Sequence, residues 1–133
     1  MKEPSQEQQE LIYKLSMFEQ QMQQIQEQIR AVEIGISELS ELEKGLEELK
    51  GKTGEDVLTQ IGRGIFAKTK LISEDLIVDI GSKNFVKKSI PETEEIIERQ
   101  IKKLEDVYEQ LAKAMNDLNC EVEKLVGEFK AEN

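Results

Sequence analysis

The apolar residues of the first third of the chain fall into one unbroken rhythm. Leu11, Leu15, Phe18, Met22, Ile25, Ile29, Val32, Ile36 and Leu39 follow one another at alternating steps of four and three residues. That is the a/d seam of a heptad repeat, and it predicts a helix winding into a left-handed coiled coil. The next apolar residue, Leu42, comes only three positions on, followed by Leu46 and Leu49; a three-three step predicts a stammer that overwinds the coil there. Ile97, Ile101, Leu104, Tyr108, Leu111, Met115, Leu118, Val122, Leu125 and Phe129 hold the same four-three rhythm to the end of the second tract. Each helix runs for about forty residues, roughly 60–70 Å. A lone helix of this kind leaves its stripe wet, so the economical arrangement within one chain is an antiparallel pair, the chain doubling back in its middle. Coiled coils formed between different chains are the alternative.

Boundary signals frame both helices. Ser5 and Gln8 have capping-box spacing with Pro4 just outside, and "KGKTGED" closes the first helix. In "SIPE", Ser89 can cap, Pro91 sits in the first turn where no N–H is needed, and Glu92 can reach back to the cap. Gly35 and Gly45 each cost about 1 kcal/mol relative to alanine, which softens the end of the first helix. Between the helices, residues 57–90 are rich in β-formers punctuated by glycine. Strands are expected at 57–61, 64–71, 76–80 and 85–89, with "GRG", "ISED" and "GSKN" as turns. In the second strand Ile65, Ala67, Thr69 and Leu71 share one face and Phe66, Lys68 and Lys70 the other. In the third, Leu76, Val78 and Ile80 lie opposite Ile77 and Asp79. Two hairpins cannot enclose a core or hide their own edges, so they need partners, and other subunits are the natural source.

The 133 residues make room for one domain: 5–50 as the N-terminal coiled-coil helix, 57–90 as a β-hairpin oligomerisation region, and 91–131 as the C-terminal coiled-coil helix. The formal net charge of −10 disfavours nucleic acid and anionic membrane surfaces as partners. Arg63, Lys68, Lys70, Lys83, Lys87 and Lys88 gather in the middle and read most simply as solvent-facing strand residues. No apolar run approaches the ~20 residues of a membrane span, and "MKEPSQEQQE" is no signal peptide, so a soluble, cytoplasmic chain is expected.

The chemistry-bearing residues are few. The chain has no histidine, and its one cysteine, Cys120, lacks a partner for a disulfide or a C-x-x-C site. Gly62–Gly64 resembles part of a nucleotide loop but lacks the G-K-[ST] ending and a following helix. The carboxylates of "ELSELEKGLEELK" and "ETEEIIERQIKKLED" stand off the seam, interleaved with lysines, as solvated helix faces do. No enzyme, metal or cofactor is expected.

The order helix, two hairpins, helix, with heptads running both ways, resembles the alpha class of prefoldin subunits, a chaperone family of archaea and eukaryotes. "ISELSELEKGLEELKGKTGEDVLTQIGRGIFAKTKL" is similar to that family's helix end, strand, G-x-G turn and second strand. "LIVDIGSKNFVKKSIPETEEIIERQIKKL" is similar to its V-x-V-G-x-x-x-x-V-x-K segment leading into the second helix. Thr59-Gln60 stand where the family often has V-P, a departure that touches the path of the first strand. The resemblance implies a mostly α fold, a long antiparallel coiled-coil hairpin whose two central β-hairpins join an intersubunit β-barrel. Ile65, Phe66, Ala67, Leu71, Leu76, Val78, Ile80, Phe85 and Val86 would serve that oligomerisation. It also implies an ATP-independent holdase: a hexamer of two alpha and four prefoldin beta subunits that captures unfolded polypeptides at coiled-coil tips and delivers them to a group II chaperonin. A coiled-coil scaffold or tether, oligomerised through its β-region, is the rival.

If Leu49 lies near Ile97, residue i faces about 146 − i. Phe18 then meets Phe129, and the first helix overhangs, leaving Leu11, Ile12 and Leu15 without partners. Met17, Met22, Leu125 and Val126 add adaptable apolar surface near the same end. These nine residues form the expected client-binding tip.

Overall fold

The structure, a computed structural model, describes residues 5–132, with side chains to Lys130; Pro4 lies outside the described residues. Helix α1 spans Gln6–Leu49 and helix α2 spans Ile90–Glu132, with strands β1 (Asp56–Gly62), β2 (Ile65–Lys70), β3 (Leu76–Asp79) and β4 (Phe85–Lys88) between them. Both capping boxes form. Ser5 N–H donates to Gln8 Oε1 at 3.0 Å and Gln8 N–H to Ser5 Oγ at 3.2 Å. The Ser89–Glu92 pair repeats the pattern at the head of α2. Past its last turn α1 stops at Gly51, whose φ of 75° is the left-handed conformation that ends a helix. The Gly51 N–H then donates to the Glu74 carboxylate.

By its internal contacts the chain divides into a terminal unit, Met1–Ile36 with Lys103–Asn133, and a central unit, Ser37–Lys102. In the central unit β1 pairs antiparallel with β2, and β3 with β4, as two separate two-stranded sheets. Both reversals need backbone with positive φ at two successive residues, as type I′ turns do. Arg63 and Gly64 supply it in the first hairpin, at φ 42° and 79°. Ser82 and Lys83 supply it in the second, at 51° and 62°, closed by Asn84 N–H to the Gly81 carbonyl at 2.9 Å. The first hairpin also shifts register between Gln60 and Gly62, which leaves Ile61 as a bulge. "ISED" makes no hairpin turn: β2 and β3 do not pair, and the segment is an irregular linker.

The core of the central unit is Leu46, Ile90 and Ile97, with Leu39, Leu49, Leu76 and Ile101 against it. This corrects the expected stammer. Leu42 is 49% exposed while Leu46 is 7% exposed. The heptad therefore passes from Leu39 through half-buried Glu43 to Leu46 without a fault, and Leu42 stands off it. The helix ends at Leu49, which packs against this core, and the Nζ of exposed Lys50 just beyond it reaches Glu94 Oε1 at 2.8 Å and Glu47 Oε2 at 2.9 Å. These two carboxylates, Glu94 foremost, push the ammonium's pKa up, and Lys50 holds Glu47 below the usual carboxylate range, chiefly through their hydrogen bond.

In the terminal unit the start of α1 lies against the end of α2, and Gly35 lies against Leu104, so the helices run antiparallel. A Cβ on Gly35 would stand 3.2 Å from Leu104 Cδ1. The 146 − i register opposes Gly35 to Leu111, so the true alignment is displaced by one heptad. A uniform stripe looks the same after seven residues, which makes this slip the easiest to commit. The absent side chain of Gly35 lets Leu104 press in close, which favours the observed alignment.

Candidate functional site

The displaced register decides the geometry where α1 begins and α2 ends. Gln8, Leu11, Ile12 and Leu15 from α1 and Val126 and Phe129 from α2 line a concavity of about 290 Å³. The expectation that Leu11, Ile12 and Leu15 overhang without partners is therefore overturned: they share this hollow with Val126 and Phe129. Leu11, Leu15, Val126 and Phe129 are half-buried, as seam residues are when only one neighbouring helix covers them, while Ile12 is exposed. A hollow of this size is at the lower edge of the roughly 300–1,000 Å³ of small-ligand pockets, enough for a large side chain or two.

An adjoining concavity of about 270 Å³ shares Gln8, Leu11 and Phe129 and adds Leu125, with Ser5, Glu7, Glu10, Lys14 and Glu128 around it. Six of the nine expected tip residues thus line the two hollows: Leu11, Ile12, Leu15, Leu125, Val126 and Phe129. Met17, Phe18 and Met22 do not. Phe18 and Met22 are half-buried on the seam, and Met17 is exposed beside it. Glu7, Glu10 and Glu128 escaped sequence reasoning because they resemble every other solvated carboxylate until the fold places them around one hollow.

A second surface belongs to the hairpins. Of the nine residues expected to serve oligomerisation, Ile65, Phe66, Ile80 and Phe85 are exposed, whereas Ala67, Leu71, Leu76, Val78 and Val86 are half-buried. Leu76 is held by the core of the central unit. Leu58, Ile61, Ile72 and Ile77 are exposed as well, Ile72 to 86%. Their signal was available: Leu58 lies across from Lys68 and Ile77 across from Lys87, on the faces that carry the lysines. Eight large apolar side chains in water, seven on two small hairpins and Ile72 on the linker between them, are more than scattered surface residues account for.

The rest of the surface offers little chemistry. Among the described residues no group of three or more His, Cys, Asp or Glu is placed to hold a metal ion, and Cys120 is exposed. Among the described residues no helix is long and apolar enough to cross a membrane.

The profile of the Prefoldin family (Prefoldin subunit) matches residues 18–132. Among curated relatives, Prefoldin subunit alpha of Methanosphaera stadtmanae is 30% identical over 72% of this chain and 70% of its own length. Prefoldin subunit alpha of Methanobrevibacter smithii is 36% identical over 70% of this chain and 64% of its own. Prefoldin subunit alpha 1 of Thermococcus kodakarensis is 31% identical over 77% and 71%. A chain of the filamentous PFD of Methanocaldococcus jannaschii, solved by cryo-EM, shares the fold at a TM-score of 0.75 and 23% identity, over 85% of this chain and 95% of that one. With its two heptad helices and paired hairpins, this chain belongs to the prefoldin subunit family, in the alpha class, a family of chaperones that assemble into oligomers.

Proposed function

We propose that this chain works, over its whole length as one domain, as an alpha subunit of an ATP-independent holdase. Prefoldin beta subunits complete the hexamer through the hairpins, and the assembled tips hold unfolded polypeptides for a group II chaperonin. One observation carries the reading: an open apolar hollow built from Leu11, Ile12, Leu15, Val126 and Phe129 where the two helices end. Closing it over a client's apolar side chain removes area from water at ~25 cal/mol per Å². No single contact of that size holds a chain, so retention depends on several tips acting on one client. Exposed Met17 beside the seam offers an adaptable, sequence-tolerant surface.

The test pairs Leu11→Ser with Phe129→Ser in the chain co-assembled with a beta subunit and follows light scattering from a denatured client. The double variant should lose most of its suppression of aggregation while the mass of the assembly stays the same. Undiminished suppression with the assembly intact would remove the hollow from the mechanism. If the unaltered assembly suppresses nothing, the scaffold or tether reading takes its place.

A further inference from the structure

We propose that the hollow at the helix ends selects client segments in which large apolar residues are interspersed with lysine or arginine. This inference rests on the holdase reading above and adds a charge preference to it. The apolar floor, Leu11 and Phe129, is common to both concavities, while the adjoining wall brings three carboxylates, Glu7, Glu10 and Glu128, against one ammonium, Lys14. All three glutamates are exposed, so their charge acts at the rim without a desolvation cost. The backbone does not offset them: the α1 N-terminus and the α2 C-terminus meet at this end, and their opposite partial charges of about half a unit cancel to first order. A cationic side chain beside an apolar anchor thus meets complementary potential, and an anionic one meets repulsion.

The probes are fluorescein-labelled unstructured peptides with identical Leu and Phe positions and Lys, Gln or Glu between them, plus a Lys peptide whose apolar positions are Ser. Fluorescence anisotropy with the full chain in its assembly should rank affinity Lys over Gln over Glu. The Lys and Glu peptides should differ by roughly three- to tenfold at low salt, the gap closing as salt shortens the screening length. The Lys–Ser peptide should bind far more weakly than the apolar Lys peptide. Glu7→Gln, Glu10→Gln and Glu128→Gln together should abolish the ranking yet keep the Gln peptide bound. Glu38→Gln, Glu41→Gln and Glu48→Gln, exposed in the central unit, should leave the ranking in place.

Equal affinity for the three apolar peptides, with binding still lost in Leu11→Ser/Phe129→Ser, would overturn the charge preference and leave the apolar hollow standing. A ranking that survives the first triple variant, or falls equally with the second, would also overturn it, by assigning the effect to diffuse charge. Binding indifferent to Leu11→Ser/Phe129→Ser, or no binding of any apolar peptide, would overturn the tip reading as well.

Discussion

Ser89 shows how much one residue settles at an element boundary. Its N–H donates to Glu92 Oε1 at 3.3 Å, its hydroxyl donates to the same oxygen at 2.9 Å and accepts the Glu92 N–H at 3.2 Å. Its carbonyl meanwhile accepts both the N–H and the hydroxyl of Thr93. The hydrogen bonds from Ser89, side chain first and backbone second, hold the Glu92 carboxyl below the usual carboxylate range. A depressed folded value means that the box contributes fully above the unfolded carboxylate pKa of about 4.3, and that the contribution is lost as pH falls through the folded value. Glu92→Gln should therefore lower the melting temperature at pH 7 and flatten its decline between about pH 5 and pH 3, so that the two proteins converge in acid. Ser89→Ala should cost about 1 kcal/mol and flatten the same decline. Parallel melting curves at all pH values would show that the box does not titrate with folding. Ser82 and Lys83 illustrate the opposite case at this scale. Both sit at positive φ in a turn where asparagine and glycine are the favoured pair, and "GSKN" marked the turn without revealing which two residues would carry the strain.

At the scale of the element, the two heptad stripes were legible almost residue by residue. Every one of the nine expected α1 seam positions is half-buried, and along α2 only Tyr108 is exposed. What misled was Leu42, where apolarity alone suggested a stammer. The heptad instead takes Glu43 into the seam and turns Leu42 outward, because the core of Leu46, Ile90 and Ile97 fixes the helix rotation. The helical glycines separate the two roles that glycine plays here. Nothing lies within 4 Å of a Cβ built on Gly45, so Gly45→Ala should stabilise the chain by about 1 kcal/mol through helix propensity. Gly35→Ala gains the same propensity but meets Leu104 Cδ1 at 3.2 Å, so its net effect should be smaller and of either sign. Thermal melts followed by circular dichroism would check this, and equal stabilisation by both substitutions would show that Gly35 is not a close-contact site.

At the scale of the whole molecule the decisive quantity is surface. Only three apolar residues, Leu46, Ile90 and Ile97, are buried among those described. The central unit leaves apolar side chains of its hairpins in water, and their sheets have two strands each and open edges. Phe66→Ser with Ile77→Ser should therefore dissociate the proposed assembly with beta subunits, read as a loss of mass by light scattering at unchanged helical signal, since neither residue supports the core. Retention of the full mass would mean that the hairpins join through other faces, or through backbone edges alone.

The order of elements, the helix caps, the turns and the two apolar stripes were determined by the sequence itself, because each depends on residues within a turn or two of one another. The alignment of one stripe on the other was not, since a heptad pattern returns to itself every seven residues and local physics cannot tell adjacent registers apart. A tertiary contact between distant residues broke that degeneracy: Leu104 against the bare backbone of Gly35. With the register came the hollow around Leu11 and Phe129 and the carboxylates beside it, which exists only once the start of α1 and the end of α2 are brought together.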